Sequence, residues 1–114
     1  MGRINGNTKA VVQIKEVERD EYQADRVRWK DAFPLHGALD LLDGGINFKM
    51  MSRAEDADYI FLCDYFAPVH NGEKLTGENS RLLIDGEVYE VELFDDPMSL
   101  HEHLEIYLKY LGGQ

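Results

Sequence analysis

The 114-residue sequence contains a single cysteine, Cys63, and only three prolines. One thiol cannot form an internal disulfide framework, so the fold must rest on its core, and we expect assembly in a reducing cytoplasm. No apolar stretch approaches the roughly 20 residues that cross a bilayer, and residues 1–10 lack the apolar segment of a signal peptide. We therefore expect a soluble chain with no membrane partner and no visible export signal.

Basic residues are also scarce, with 12 lysines and arginines against 22 aspartates and glutamates, a formal net charge of −10. Tight binding to nucleic acid needs clustered cations, so this balance disfavours a DNA-gripping protein. It is typical of a protein that repels polyanions or docks on a basic partner. Apolar side chains are plentiful, since 44% of the residues are hydrophobic and 11% are aromatic. This composition excludes disorder and indicates one small domain with a modest core.

The first third of the chain combines strand patterns with charged connections. Residues 1–9 are rich in Gly and Asn, which predicts a flexible N-terminal arm. Residues 10–17 alternate as in a strand, and the charged residues 18–27 predict a wide hairpin loop. Residues 28–42 begin with strand alternation that Pro34 interrupts, and beyond it we expect another strand or a short helical turn.

The middle of the chain contains a long loop and a clear hairpin. Residues 43–58 have two glycines, several charges and little periodicity, which predicts a long loop of the kind that usually carries a function. The run YIFLCDYF (59–66) is apolar on both faces, which predicts a central strand or one whose second face is covered by another subunit. Residues 80–94 hold two β-type runs around Asp85-Gly86, a dipeptide suited to a type I′ turn. The inward stripe of the second run would consist of Tyr89, Val91 and Leu93.

The C-terminal stretch DDPMSLHEHLEIYLKYLGGQ (95–114) carries signals of both a helix and a strand. We predict a helical turn at residues 97–101 and then a last strand, because tertiary pairing overrides weak helix propensity. Leu104, Ile106 and Leu108 would face the core, while Glu105, Tyr107 and Lys109 would point away. The predicted fold class is therefore mostly β: a small five- or six-stranded barrel or sandwich with long loops and a short helical turn near the C-terminus.

Few residues form a pattern that indicates chemistry. His101 and His103 are two apart and would share a face with Glu105 on a strand, where they could bind a metal. Histidines beside acids on a surface are far commoner than metal sites, so we expect none. Cys63 lies in an apolar run that is typical of a buried, inert thiol. With no Gly-rich phosphate loop and no nucleophile elbow in the sequence, we expect no enzyme activity and no cofactor.

The order of these features resembles one known family. The chain begins with a strand and a charged connection. These are followed, in order, by RWKDAFPLHGALDLL, the run ADYIFLCDYF, and RLLIDGEVYEVELFDDPMSLHEHLEIYLKYLGG. Together they look like the head-closure (head–tail connector, or stopper) proteins of long-tailed bacteriophages and of prophage remnants in Gram-positive bacteria. The resemblance covers residues 10–113 and rests most on the hairpin, the DDP bend and the LEIYLKYLGG end. It implies a single β-barrel domain over residues 10–114 that ends in a strand.

The resemblance implies a virion structural protein that is made in the bacterial host cytoplasm. Copies would form a homo-oligomeric ring at the head–tail junction, below a portal or adaptor protein and above a tail protein. The ring would retain DNA in the head, and DNA would pass its channel without sequence-specific binding. A loop projecting into that channel would comprise Asp43, Gly44, Gly45, Lys49, Arg53, Glu55, Asp56 and Asp58. The expected contacts between subunits involve Tyr65, Tyr107 and Lys109.

Other functions stay open. A small acidic β protein could mimic DNA and inhibit a host nuclease or restriction system, which predicts acids in a regular surface stripe and a monomer or dimer. A minor capsid protein is close to the main interpretation. A hydrolase using Asp95, Asp96 and His101 is the least supported, because paired acids are expected by chance in a chain this acidic.

Overall fold

A computed structural model of the protein describes residues 8–42 and 56–113. Most of the predicted flexible N-terminal segment (1–9) and most of the predicted long loop (43–58) lie outside these residues. The described strands are β1 (Thr8–Arg19), β2 (Asp25–Leu41), β3 (Tyr59–Asp64), β4 (Val69–His70), β5 (Glu73–Lys74), β6 (Ser80–Ile84), β7 (Glu87–Asp95) and β8 (His103–Gly113). A 3₁₀ turn, Pro97–Ser99, separates β7 from β8. Within the described ranges, no helix is long and apolar enough to cross a membrane.

Six of these strands close into an antiparallel barrel in the order β1–β2–β3–β8–β7–β6. The strands β4 and β5 form a separate two-stranded hairpin. Closing the sheet pairs the edges that an open sheet would leave to solvent. The predicted mostly β fold with six strands and a short helical turn near the C-terminus is therefore confirmed.

Inward-facing side chains fill the barrel and close both of its ends. The fully buried apolar ones come from five of the six barrel strands, β1, β3, β6, β7 and β8, and they include Val12, Phe61, Leu82, Ile84, Val91, Leu104, Ile106 and Leu108. The strand β2 contributes Leu35, which is 9% exposed. At the end where β3 begins, the ring of Tyr59 packs edge-on against Tyr89 at 5.4 Å. At the end where β3 finishes, Phe66 packs in the same way against Phe33 at 5.4 Å. The single barrel thus has a packed core between two aromatic layers.

The predicted type I′ hairpin is present between β6 and β7. Asp85 and Gly86 have φ angles of 52° and 76°, as this turn requires. Part of the predicted inward stripe is wrong, however. The register shifts between Val91 and Leu93, and this bulge turns Leu93 to the outer face while Phe94 packs on the core.

The predicted wide loop at residues 18–27 is also mostly wrong. The β1–β2 ladder continues to the pair Arg19↔Asp25, so only residues 20–24 form the turn. Beyond it, β2 runs without interruption through Pro34, in a stretch that β3 does not yet pair. Proline is tolerated there because a strand with a partner on one side only has fewer ladder bonds to lose.

The last strand has the predicted orientation, with one difference in burial. Leu104, Ile106 and Leu108 face the core, and Tyr107 lies on the outer face. Tyr107 is nevertheless only 7% exposed, because it forms a second apolar cluster with Ala57 and Ile60. This cluster covers part of the outer face of β3. From the sequence, another subunit was one possible cover for that face. The predicted central position of β3 is confirmed, since it lies between β2 and β8.

Candidate functional site

The β1–β2 hairpin extends well beyond the barrel. The strand β6 pairs with β1 only from Val11 to Ile14, and β3 pairs with β2 only from Gly37 to Leu41. Residues 15–30, here called the arm, therefore continue as a two-stranded ribbon without a neighbouring strand among the described residues. The described chain measures 49 × 29 × 25 Å. An isolated hairpin is marginally stable in water, so a ribbon of this kind is a candidate surface for a partner.

The tip of the arm is held in one conformation by Asp20. Its Oδ1 accepts hydrogen bonds from the backbone N–H groups of Tyr22 (2.8 Å) and Ala24 (2.9 Å). The backbone N–H of Asp20 donates to the carbonyl oxygen of Ala24 at 3.0 Å, and Gln23 adopts the left-handed φ of 66°. Tyr22 projects from this turn and is 81% exposed. The tip thus presents a large aromatic side chain on an ordered turn.

The two faces of the arm differ in character. On the face that continues the barrel interior, the cross-strand pairs are Glu16↔Arg28 and Glu18↔Arg26, and Arg28 also contacts Glu18 at 3.0 Å. On the other face, Val17 lies directly opposite Val27, and these side chains are 59% and 53% exposed. In these two pairs the acids lie on β1 and the arginines lie on β2. Near the tip, the ion pair between Arg19 of β1 and Asp25 of β2 (3.7 Å) has the reverse arrangement.

A polar network ties the base of the arm to the barrel. The guanidinium of Arg81 lies 4.3 Å from the ring centroid of Trp29, a cation–π contact. Arg81 Nε donates to Oε1 of the buried Gln13, whose Nε2 donates to Asp31 Oδ1, both at 2.8 Å. Partial burial lowers the pKa of the Arg81 guanidinium. The network holds Trp29 beside a groove of about 390 Å³ that is also lined by Lys15 and Arg81.

Only two residues of the predicted channel loop, Asp56 and Asp58, are described; Asp43, Gly44, Gly45, Lys49, Arg53 and Glu55 lie outside the described residues. Asp56 is exposed, whereas Asp58 is a structural anchor. Its carbonyl oxygen accepts from Leu42 N (2.8 Å), its N–H donates to the carbonyl of Leu108 (2.8 Å), and its Oδ2 accepts from Tyr110 N (3.2 Å). The chain therefore leaves and re-enters the barrel at one point, at the opposite end of β2 from the arm.

The predicted subunit contacts Tyr65, Tyr107 and Lys109 do not share one environment. Tyr65 is half-buried and stacks on His101 with ring centroids 4.6 Å apart. Tyr107 donates from its hydroxyl to Glu105 Oε1 at 3.1 Å, and burial with this carboxylate raises its pKa to about 12. Lys109 is exposed opposite Glu90. Of the three, Lys109 offers the most accessible surface.

The histidines and acids that the sequence singled out do not converge on one metal site. His101 precedes β8 with a φ of 57°, and its Nδ1 contacts the carboxylate of Asp96, which also accepts its backbone N–H at 2.9 Å. His103 instead contacts Glu105 at 3.2 Å. Among residues 8–42 and 56–113, no three histidine, cysteine, aspartate or glutamate side chains are grouped to hold a metal ion.

We expect Cys63 to be unreactive in the native chain. It is buried on the inward face of β3, and this burial, together with Asp64, raises its pKa to about 12 from the ordinary 9.0. A thiol reagent should therefore react at least about 100-fold more slowly than in concentrated guanidinium, because access needs local opening. Between pH 9.0 and about 12, the Cys63 thiol stays protonated in the native state but is ionised in the unfolded state. The free energy of unfolding should therefore fall as the pH rises through this range.

The Cys63→Ala variant is the control for this pH dependence, and its unfolding free energy should fall less steeply over the same range. A native thiol that reacts at the unfolded rate would contradict the placement of Cys63 in the core.

No protein-family model matches the chain, and no curated protein matches it. Among solved structures, the solution structure of a protein from Shigella flexneri 2a is similar, with a TM-score of 0.65 and 16% sequence identity. The alignment covers 96% of this chain and 95% of that one. At this identity the similarity concerns the fold alone. It extends over nearly the whole length of both chains.

Proposed function

We propose that the chain is a structural assembly protein that forms a homo-oligomeric ring, as the head-closure proteins of tailed phages do. The observation that carries the proposal is the arm, a two-stranded ribbon that, beyond Lys15, has no neighbouring strand on either edge among the described residues. Its side chains Val17, Tyr22 and Val27 are exposed. A segment like this gains stability when another chain covers it.

Ring formation places a particular demand on a subunit surface. Each copy must offer one patch to its neighbour on one side and a different patch to its neighbour on the other. The two strands of the arm meet this demand, because their free edges differ in sequence and in charge.

The position of the channel loop agrees with a ring at a head–tail junction. Leu42 and Asp58, which flank the proposed channel loop, are hydrogen-bonded to each other at the end of β2 that lies farthest from the arm. Contacts between neighbours through the arm would thus leave the loop free to enter a central channel. A net charge of −10 would let packaged DNA pass without adhering, because like charges do not release condensed counterions.

The DNA-mimic alternative requires a regular stripe of acids on the surface. The described cross-strand row on the outer face instead alternates in sign, because Arg81 lies opposite Glu90 and Glu90 lies opposite Lys109. This row does not favour a phosphate-like array.

The proposal predicts concentration-dependent assembly of the purified full-length chain. Light scattering coupled to gel filtration should show mass rising towards a single ring size below about 1 mM, and negative-stain microscopy should show closed rings. A chain that stays monomeric throughout this range contradicts the proposal. So does metal-dependent DNA cleavage that is lost in Asp96→Ala or His101→Ala, since it would reveal an enzyme.

A further inference from the structure

We propose that neighbouring copies join by strand addition between their arms, with the β1 edge of one copy paired antiparallel to the β2 edge of the next. The inference rests on the proposed ring-forming function and specifies the contact that builds the ring. The partner is therefore a second copy of this chain, and the surface is the arm (residues 15–30).

The hydrogen-bonding groups of both arm edges point outward at defined positions. The backbone N–H of Lys15 donates to the carbonyl of Asn79 at 2.8 Å, away from β2. Since antiparallel ladders alternate, the N–H and C=O groups of Val17 and Arg19 point the same way. Their partners Val27 and Asp25 point outward from β2 for the same reason. Each arm therefore has two regular edges that can accept a strand.

The charges on the arm select which edges meet. On the face that continues the barrel interior, the β1 edge carries Glu16 and Glu18, and the β2 edge carries Arg26 and Arg28. Near the tip, Arg19 of β1 lies opposite Asp25 of β2, so this pair is also complementary between the two edges. Repeating the intrachain register between copies places the acids of one copy beside the bases of the next, which is favourable. Pairing β1 with β1, or β2 with β2, would place like charges side by side. Only the head-to-tail contact is complementary.

The opposite face of the arm favours the same arrangement. In the intrachain register, Val17 lies opposite Val27, and both are more than half exposed. The repeated register would place the next copy's Val17 beside Val27, so each exposed valine would gain an apolar neighbour on its open side. The contact is heterologous, and it closes into a ring when the rotation between copies completes a circle.

Inverting the four charges on one face of the arm tests the pairing rule. In the chain with Glu16→Arg, Glu18→Arg, Arg26→Glu and Arg28→Glu, the pairs within the arm and between identical copies are preserved. We expect this chain to assemble alone as the wild type does. When the two chains carry different fluorescent labels on their N-terminal amines and are mixed, we expect them to sort into separate assemblies with little energy transfer between them. The half-inverted chain, Glu16→Arg with Glu18→Arg, should not assemble, because both of its edges are basic.

The outcomes separate the contact from the function. A wild-type chain that stays monomeric overturns both the ring and this inference. A wild-type ring that mixes freely with the inverted chain leaves the proposed function intact and overturns the inference. Preferential mixed assembly would show that identical edges meet, which also overturns it.

A second variant tests the edge itself without changing charge. Val27→Pro removes an outward N–H that the intrachain ladder does not use, so the monomer should keep its free energy of unfolding. The concentration at the assembly midpoint should rise at least about tenfold, because hydrogen bonds across the edge are lost. The matched control Val27→Thr keeps the N–H and should assemble normally. Equal assembly of the two variants would overturn the inference.

Discussion

An aspartate in place of Ile106 should cost at least about 4 kcal/mol of stability, the largest effect expected from a single substitution in this chain. Ile106 is 0% exposed and lies on the inward face of β8, between Phe61 of β3 and Phe94 of β7. A carboxylate there would lose its hydration without gaining an ionic partner. Domains of this size are stable by about 5–15 kcal/mol, so the variant should be largely unfolded or close to it.

The neighbouring variant Tyr107→Asp separates the two faces of the strand. From the sequence, with Tyr107 pointing away from the core, this variant is expected to be better tolerated than Ile106→Asp. The structure places Tyr107 in the outer apolar cluster, only 7% exposed, with its hydroxyl bonded to Glu105. We therefore expect a loss of about 2–3 kcal/mol, part of it from repulsion between the new carboxylate and Glu105.

Urea unfolding of both variants under identical conditions measures this order. Lys109→Asp is the matched control, because Lys109 is exposed on the same strand. The new carboxylate would face Glu90, so this variant should cost up to about 1 kcal/mol. If Tyr107→Asp costs more than Ile106→Asp, the inward and outward faces of β8 are assigned wrongly.

Replacing Gly37 by alanine should be the next most damaging change, at about 3 kcal/mol. A Cβ atom at Gly37 would lie 2.1 Å from the carbonyl oxygen of Leu62 and 3.0 Å from the side chain of Phe61. The carbonyl oxygen belongs to the backbone of β3, so it can move only if the two strands separate. Gly37 is also the first residue of β2 to pair with β3, opposite Cys63, so the damage would fall on the β2–β3 ladder of the barrel.

Gly113→Ala is the control for this prediction, because a Cβ there meets nothing within 4 Å. Its free energy of unfolding should stay within about 0.5 kcal/mol of the wild type. Equal stabilities of the two alanine variants would contradict the close approach of β2 and β3 at Gly37.

The sequence by itself determined the class of fold and several of its elements. Alternation of apolar and polar residues was sufficient for β1. For β8 it competed with a helical pattern, and the β character of the rest of the chain favoured the strand that places Ile106 and its neighbours inward. The dipeptide Asp85-Gly86 was sufficient for the β6–β7 turn, since few residues adopt its positive φ angles. These signals are local, because each depends on the conformation of adjacent residues or on which face of one strand is apolar.

The candidate site was predicted less well. The start of β3 at Tyr59 was predicted, but the hydrogen bonds of the preceding Asp58 join segments distant in sequence. Burial of Tyr107 depends on Ala57 and Ile60, and the outward turn of Leu93 depends on a bulge. None of these contacts alters the local pattern that the sequence displays.

Only the tertiary structure decided that residues 15–30 form an arm. The charged residues after Val17 are equally compatible with a loop or with a solvated ribbon, because both expose polar side chains. The edges of the arm are open because β6 pairs with β1 no further than Ile14, and β3 pairs with β2 only from Gly37 onward. The open edge of a strand is set by where its neighbours stop, and those neighbours lie far away in the chain.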